Sequence, residues 1–194
     1  MSFNHNDHYH GLLLRHVPAG ARRALDVGCG TGRFARRLAA RGLEVDAVDA
    51  SAEVVAAARK DPAGVTFEQA DITRHDLPRG RYDYVSCLAS IHHVPFETVT
   101  RLRDALAPGG VLAILGCYRE STPADYAWAL AAVPANAVIR LALAARADDG
   151  VPAPVTAPTM TLPEIRREGA ALLPGAKIRR LLFFRYLLLH QAPA

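Results

Sequence analysis

The sequence predicts an α/β protein with a Rossmann-like, seven-stranded, mostly parallel sheet, helices on both faces and an antiparallel last strand. Three observations support this prediction. Short apolar runs alternate with segments of helical spacing as far as residue 118. A glycine-rich turn follows the first apolar run and opens into a helix. The stretch 176–191 supplies two more strands, which we expect to pair antiparallel with a turn near Phe183.

The first elements follow from apolar spacing and from residues that start or stop helices. Phe34 and Leu38 have helical spacing after the glycine-rich turn, and Gly42 is expected to end that helix. Ser51 is placed to cap the next helix. The first five predicted strands lie over residues 24–27, 43–49, 65–71, 82–89 and 111–115.

Two later helices are indicated by proline and by a capping pattern. Pro95 suits the first turn of a helix that runs through Leu106, and residues 107–110 end it before the fifth strand. Thr161 and Glu164 form the capping-box pattern that opens another helix. We expect these elements to belong to one domain, residues 1–194, because 51% hydrophobic content in 194 residues suits one sizeable core.

Charge and composition argue against several classes of partner. The net charge is +4, and no block of like charge exceeds three residues, so we expect no nucleic-acid partner. Residues 181–189 are apolar but too short to span a bilayer, and Arg185 interrupts them, so we expect no membrane partner. Cys29, Cys87 and Cys117 lack Cys-x-x-Cys spacing, which favours reduced thiols in a cytoplasmic protein.

The stretch Leu25–Gly32 reads Leu-Asp-Val-Gly-Cys-Gly-Thr-Gly and predicts a ligand-binding turn. Glycine suits unusual backbone angles and close approach of a ligand, and the amides that start the next helix point at a ligand above the turn. A dinucleotide fingerprint needs its third glycine at position 33, which is arginine. The Gly-Lys-Ser/Thr of a P-loop does not occur in the sequence.

Acidic residues stand at the ends of the first three predicted strands: Asp26, Asp49 and Asp71. Asp49 lies 21 positions after Gly28, where an acid accepts hydrogen bonds from ribose hydroxyls. This spacing supports an adenosine ligand without choosing among such ligands. Three acids at successive strand ends are more specific than any one of them.

Four features follow one another along the chain: the glycine pattern, these acids, the pair His92-His93 and the Leu-x-Pro-Gly-Gly turn at 106–110. Their order and spacing match those of a known family. Over residues 22–118 the sequence resembles the class I S-adenosylmethionine (SAM) methyltransferases of the small-molecule type. The resemblance implies that SAM is the cofactor. It also implies an enzyme that methylates a small organic acceptor.

The same resemblance assigns the cofactor contacts. Gly28, Gly30 and Gly32 would pack against the methionine part of SAM, and Asp26 would hold its ammonium group. Asp49 would bind the ribose and Asp71 the adenine amino group. The remaining expected cofactor contacts are Ile72 on the adenine ring, with Ala50, Leu88 and Tyr9.

Two segments are expected to close over this edge of the sheet. Residues 1–20 would form an amino-terminal lid, with a short helix that ends at Pro18 and with Tyr9 and His10 as contacts. Residues 119–160 would form a helical insertion, with helices over 124–133 and 135–147 and flat apolar walls from Tyr126 and Trp128. An apolar or aromatic acceptor fits such a pocket better than a highly charged one.

His92 and His93 are the candidate catalytic bases, because they follow the fourth strand on the ligand side of the sheet. A base is needed only where the acceptor must lose a proton. We expect no metal, because acids that hold a divalent ion in catechol-type enzymes are absent after the fourth strand. The Asn/Asp-Pro-Pro-aromatic motif of nucleic-acid amino-methyltransferases is absent there too.

Two alternatives stay open on the sequence alone. A SAM-binding protein that does not methylate would carry the same cofactor motifs. An NAD(P)-dependent oxidoreductase is disfavoured by Arg33 and by Asp71. The sequence does not identify the methyl acceptor.

Overall fold

The computed structural model describes residues 5–122, 157–182 and 184–194. These residues contain a seven-stranded sheet in the order β3-β2-β1-β4-β5-β7-β6. Strands β1 to β5 pair in parallel, whereas β7 is antiparallel to both β5 and β6. The strands are β1 (Arg23–Val27), β2 (Glu44–Asp49), β3 (Val65–Gln69), β4 (Tyr82–Leu88), β5 (Leu106–Cys117), β6 (Lys177–Arg180) and β7 (Arg185–Gln191). The predicted fold class, including the antiparallel last strand, is confirmed.

Helices pack against both faces of this sheet. They are α1 (His5–Leu14), α2 (Arg33–Ala39), α3 (Ala52–Ala58), α4 (Thr98–Asp104) and α5 (Leu162–Leu172), with a 3-10 turn at Ile91–His93. Helices α3 and α5 start as the sequence predicts. The Ser51 hydroxyl accepts a hydrogen bond from Val54 N at 3.4 Å, and the Thr161 and Glu164 side chains form a reciprocal capping box.

Two apolar clusters form the core, one on each face of the sheet. On one face α4 and α5 cover residues that include Leu25, Val85, Leu112, Ile114 and Leu188. On the other face α1, α2 and α3 cover residues that include Ala24, Val45, Tyr84, Ala113 and Leu115. The alternation along each strand sends successive side chains to opposite clusters.

Helix α1 is anchored in the core by its last turn. Leu13 is fully buried. The Tyr84 hydroxyl donates to Leu13 O at 3.0 Å, and Arg41 Nη1 donates to Leu14 O at 2.7 Å. These bonds satisfy carbonyls that have no partner within the helix. The helix ends at Leu14, not at Pro18 as expected.

Several other boundaries differ from the sequence prediction. Strand β3 ends at Gln69, so Asp71 stands two residues beyond it. Pro95 precedes α4, which starts at Thr98 and ends at Asp104, and β5 already begins at Leu106. The cause of the early start is that Leu106 pairs with Tyr82 before a register shift, after which the ladder resumes at Val111.

The carboxyl-terminal hairpin forms as expected, with its turn between Arg180 and Arg185. Tyr186 on β7 lies opposite Gly116 on β5. A Cβ atom on Gly116 would lie 2.2 Å from the Tyr186 ring, so glycine is required where the ring crosses β5.

Several expectations fall outside the described residues. They concern the helices over 124–133 and 135–147, the side chains of Tyr126 and Trp128, and Phe183. Within the described ranges, no helix has the length and apolar character needed to cross a bilayer.

Candidate active site

The glycine turn (Gly28–Gly32) leaves β1 at the carboxyl edge of the sheet, where open α/β sheets bind ligands. Gly28, Gly30 and Gly32 have φ angles of +66°, +55° and +80°. Gly28 N and Cys29 N donate to Val48 O at 2.8 and 3.0 Å, which fastens the turn to the end of β2. The alternating left-handed residues explain why glycine recurs at every second position.

The three glycines are required for different reasons. A Cβ atom on Gly28 would lie 2.2 Å from the Cβ of Ser90, and one on Gly32 would lie 2.4 Å from the Phe67 ring. A Cβ atom on Gly30 would meet nothing within 4 Å. Gly28 and Gly32 are therefore packed from behind, whereas Gly30 faces open space over the sheet edge.

Asp49 supports the same turn from the end of β2. Its carboxylate accepts hydrogen bonds from Gly30 N at 2.9 Å and from Ser51 N at 3.0 Å. A carboxylate has about four lone-pair positions, so this one has capacity for a ligand hydroxyl as well.

Asp26 lies beneath the turn and is 2% exposed. Its Oδ1 accepts a hydrogen bond from the Ser86 hydroxyl at 2.8 Å. Burial, with a smaller contribution from the charge of Asp49, raises the pKa of Asp26 to about 7, although the hydrogen bonds from Ser86 and from the backbone of Ala35 oppose the rise. A cation placed next to this carboxyl would favour its charged form.

The other predicted cofactor contacts lie along the same edge. Asp71 is exposed, and its Oδ1 accepts from Thr73 N at 2.9 Å and Thr73 Oγ1 at 2.7 Å. These bonds lower the pKa of Asp71. Ile72 is buried, Ala50 is exposed, and Leu88 is half-buried at the end of β4.

The side chains of Tyr9 and His10 are held by contacts within the protein. The Tyr9 hydroxyl donates to Leu182 O at 3.0 Å in the turn between β6 and β7. The His10 ring packs against Phe34 of α2, with ring centroids 5.0 Å apart. Tyr9 and His10 are both buried, so α1 covers the edge beside the glycine turn as part of the core.

A cavity of about 30 Å³ opens beside the 3-10 turn. His92 lies in its wall with Nδ1 buried, whereas His93 is exposed. The two imidazole centroids are 4.1 Å apart. The rest of the lining is mainly apolar: Ile91, Val94, Phe96, Cys117, Thr159, Met160, Ile165 and Tyr186. Of the two predicted bases, His92 faces this space.

Sequence reasoning missed the side chains that hold these parts together. Arg36 on α2 donates to Thr31 O of the glycine turn at 2.7 Å and to Ala58 O at the end of α3 at 3.0 Å. Its guanidinium also lies over the Phe67 ring, 5.6 Å from the centroid. An arginine one turn into an amphipathic helix gives no sign of this role in the sequence.

The cavity wall was missed as well, because Met160 and Ile165 are far from the glycine turn in the sequence.

The described residues hold no cluster of three or more His, Cys, Asp or Glu side chains that suits a metal ion. Cys29 is half-buried, Cys87 and Cys117 are buried, and all three are free thiols.

This strand order, with a glycine turn after β1 and acids at or near the ends of β1, β2 and β3, defines the class I SAM-dependent methyltransferases. Residues 24–110 match the model of the methyltransferase domain family. The chain is 38% identical over 196 residues to an uncharacterized methyltransferase of Mycobacterium tuberculosis, with 98% of each chain covered. The chain therefore belongs to the class I SAM-dependent methyltransferases, which are enzymes that use SAM as cofactor.

Two further comparisons involve proteins longer than this chain. The ubiquinone biosynthesis O-methyltransferase of Xanthomonas axonopodis pv. citri is 38% identical over 137 residues, which cover 67% of this chain and 55% of that protein. The solved phosphoethanolamine N-methyltransferase 2 of Haemonchus contortus in complex with SAM has a TM-score of 0.64 at 20% identity. That alignment covers 90% of this chain and 38% of the other, and it shows the shared fold.

Proposed function

We propose that this methyltransferase acts on a small, apolar or aromatic organic acceptor and that His92 is the base that receives the acceptor's proton. The observation that carries the proposal is the position of His92 in the wall of a mainly apolar cavity. The cavity lies where the 3-10 turn and the end of β5 meet, at the same edge as the glycine turn.

The cofactor would lie across the carboxyl ends of β1, β2 and β3. Gly30 offers the open approach for its methionine part, and the buried Asp26 carboxyl is suited to its ammonium group. Asp49 would bind the ribose and Asp71 the adenine amino group. Bound there, SAM supplies a methyl group on a sulfonium that is already a good leaving group.

The acceptor would enter from the side of the 3-10 turn. A cavity of about 150 Å³ holds a benzene ring, whereas the cavity beside His92 has about 30 Å³. It therefore fits the reacting group of an acceptor, and a whole ring needs the walls to open. Similarity to an O-methyltransferase of ubiquinone biosynthesis supports an oxygen acceptor such as a phenol.

The protein's own residues then have three tasks. The apolar walls exclude water and orient the acceptor, and orientation of this kind is worth about 7–11 kcal/mol in intramolecular reactions. His92 accepts the hydroxyl proton, which makes the oxygen a better nucleophile. Neutral imidazole is suited to this task near pH 7.

Replacing His92 tests the proposal. His92→Ala should lower turnover of a phenol by about 100-fold, which is the lower range for loss of a general base. Its affinity for SAM, measured by calorimetry, should stay within about twofold of the parent protein. Turnover is measured as release of S-adenosylhomocysteine across a panel of small phenols.

His93→Ala is the matched control, because His93 is the exposed neighbour. Its turnover should fall by less than about threefold. An equal loss of turnover and of SAM affinity in His92→Ala would make His92 a cofactor contact. No turnover with any apolar or aromatic acceptor, while charged acceptors are methylated, would overturn the proposed substrate class.

A further inference from the structure

Ser90 is the residue through which β4 passes into the 3-10 turn. The preceding residue, Ala89, has a left-handed φ of +52°, which is unusual for alanine. Ala89 N donates to Leu115 O at 2.7 Å, so this bend is fastened to β5. The bend turns Ser90 back toward the end of β1.

The Ser90 side chain contacts the end of β1 and the start of the glycine turn. Its hydroxyl donates to Val27 O, the last carbonyl of β1, at 2.9 Å, and it lies 3.0 Å from Cys87 Sγ. Its Cβ occupies the space behind Gly28, where a side chain on residue 28 would need to be. Ser90 therefore touches the residue before the glycine turn and the first residue within it.

The backbone of Ser90 holds the histidine turn. Ser90 O accepts a hydrogen bond from His93 N at 3.0 Å, which closes the 3-10 turn that carries His92. Ser90 thus bonds β1 through its side chain and the 3-10 turn through its backbone carbonyl.

We infer that Ser90 is a positioning residue that fixes His92 relative to the glycine turn, so that a bound cofactor and the base keep one relative position. The inference rests on the proposed function for the role of His92 as base. The hydroxyl bond to Val27 O is the tether, and the Cβ contact at Gly28 sets the spacing. Positioning matters because a shift of about 1 Å in a reacting group can cost about 100-fold in rate.

The tether can be tested by nuclear magnetic resonance without an identified acceptor. The probe is S-adenosylhomocysteine, and the readout is the shift that it induces in the ¹⁵N-labelled imidazole resonances of His92, assigned through His92→Gln. Ser90→Ala keeps the Cβ behind Gly28 and removes only the hydroxyl. We expect its affinity for the probe to stay within about threefold of the parent value. The induced shift at His92 should fall by half or more.

Two further variants make the result specific. Thr100→Ala on α4 removes another hydroxyl that bonds a backbone carbonyl, that of Glu97 at 2.7 Å, and it should keep the full shift. Ser90→Thr keeps the hydroxyl and should keep the shift as well. These two results, with the reduced shift in Ser90→Ala, would support the tether.

The opposite outcomes separate the two proposals. An unchanged shift in Ser90→Ala, or a lost shift in a Ser90→Thr variant that still binds the probe, would overturn the role of Ser90 alone. A parent protein that does not bind S-adenosylhomocysteine would overturn the proposed function, and the role of Ser90 with it.

Discussion

The carboxyl edge of the sheet has two halves that are built in different ways. The cofactor half consists of the glycine turn with Asp26, Asp49 and Asp71, and it is held mainly by backbone amides and carboxylates. The acceptor half is the cavity beside the 3-10 turn, and its walls are side chains from four separate segments. Ser90 lies between the two halves.

This difference shows where each half is sensitive to substitution. The cofactor half depends on left-handed backbone angles and a buried carboxyl group. Substitutions that barely change side-chain volume should therefore still alter ligand affinity there. The acceptor half depends on how apolar side chains fill space, so changes there should alter stability and acceptor choice while cofactor affinity stays the same.

The largest effect should come from Gly30→Ala. The new methyl group would point into the open space over the turn, and we expect a loss of about 100-fold in SAM affinity from that overlap. Gly20→Ala is the matched control, because Gly20 also has a left-handed φ, +78°, and open space around it. Both variants should lose about 1 kcal/mol of unfolding free energy from backbone strain.

Calorimetry with SAM and urea unfolding separate these effects. If Gly30→Ala bound SAM as tightly as Gly20→Ala, the open space at Gly30 would not be the cofactor site. The cofactor half would then have to lie elsewhere on the edge.

The next effect is a pH dependence of SAM affinity that depends on Asp26. In the ligand-free protein burial raises the pKa of Asp26 to about 7. Below that pH a proton must leave before the carboxylate can pair with the ammonium group, so affinity should fall by up to about tenfold per pH unit. Affinity should be level between about pH 7 and about pH 8, above which the ligand's ammonium group loses its own proton. Calorimetric titrations with SAM between about pH 5.5 and about pH 8.5, on both sides of the expected pKa, measure this slope.

Asp26→Asn should bind SAM more weakly and without that slope. Asp71→Asn is the control, because the pKa of this exposed carboxyl is lowered, and it should weaken binding equally at pH 6 and at pH 8. The raised pKa of Asp26 in the folded protein also affects stability. The protonated carboxyl contributes stability that is fully present below the unfolded pKa of Asp26, and this contribution is lost as the pH rises through about 7. If the pH dependence of SAM affinity persisted in Asp26→Asn, another titrating group would be responsible for it.

The smallest effect on the cofactor should come from the acceptor half. Ile165→Val removes one methylene from a buried side chain in the cavity wall and should lower the unfolding free energy by about 1 kcal/mol. SAM affinity should stay within about twofold. A tenfold loss of SAM affinity would show that the two halves are not separable in energy.

The same contrast explains what the sequence could predict. Asp26 and the three glycines lie within one short motif, and Asp49 follows it at the end of the next strand. All five lie at one edge of the sheet, as expected. The walls of the cavity come from Phe96, Met160 and Tyr186, which only the folded sheet brings together. Long-range packing of this kind leaves no local pattern.

Boundaries were missed for a related reason. The proline and glycine residues at 107–110 indicate a turn, yet β5 starts at Leu106 because Tyr82 pairs with it across the sheet. Helix α1 ends at Leu14, where Tyr84 and Arg41 from other parts of the chain bond its last carbonyls. In both places a tertiary contact overrides the local preference.

The crossing of the Tyr186 ring over Gly116 has a consequence for how this chain can be recombined with its relatives. The ring occupies the volume of a residue 116 side chain, so β5 and β7 carry one shared requirement although Gly116 and Tyr186 are 70 positions apart in the sequence. A chimera that inherits β7 without β5 would place a side chain against the ring whenever its donor lacks glycine at the matching position. Crossover points are therefore best placed so that β5 and β7 both come from the same parent chain.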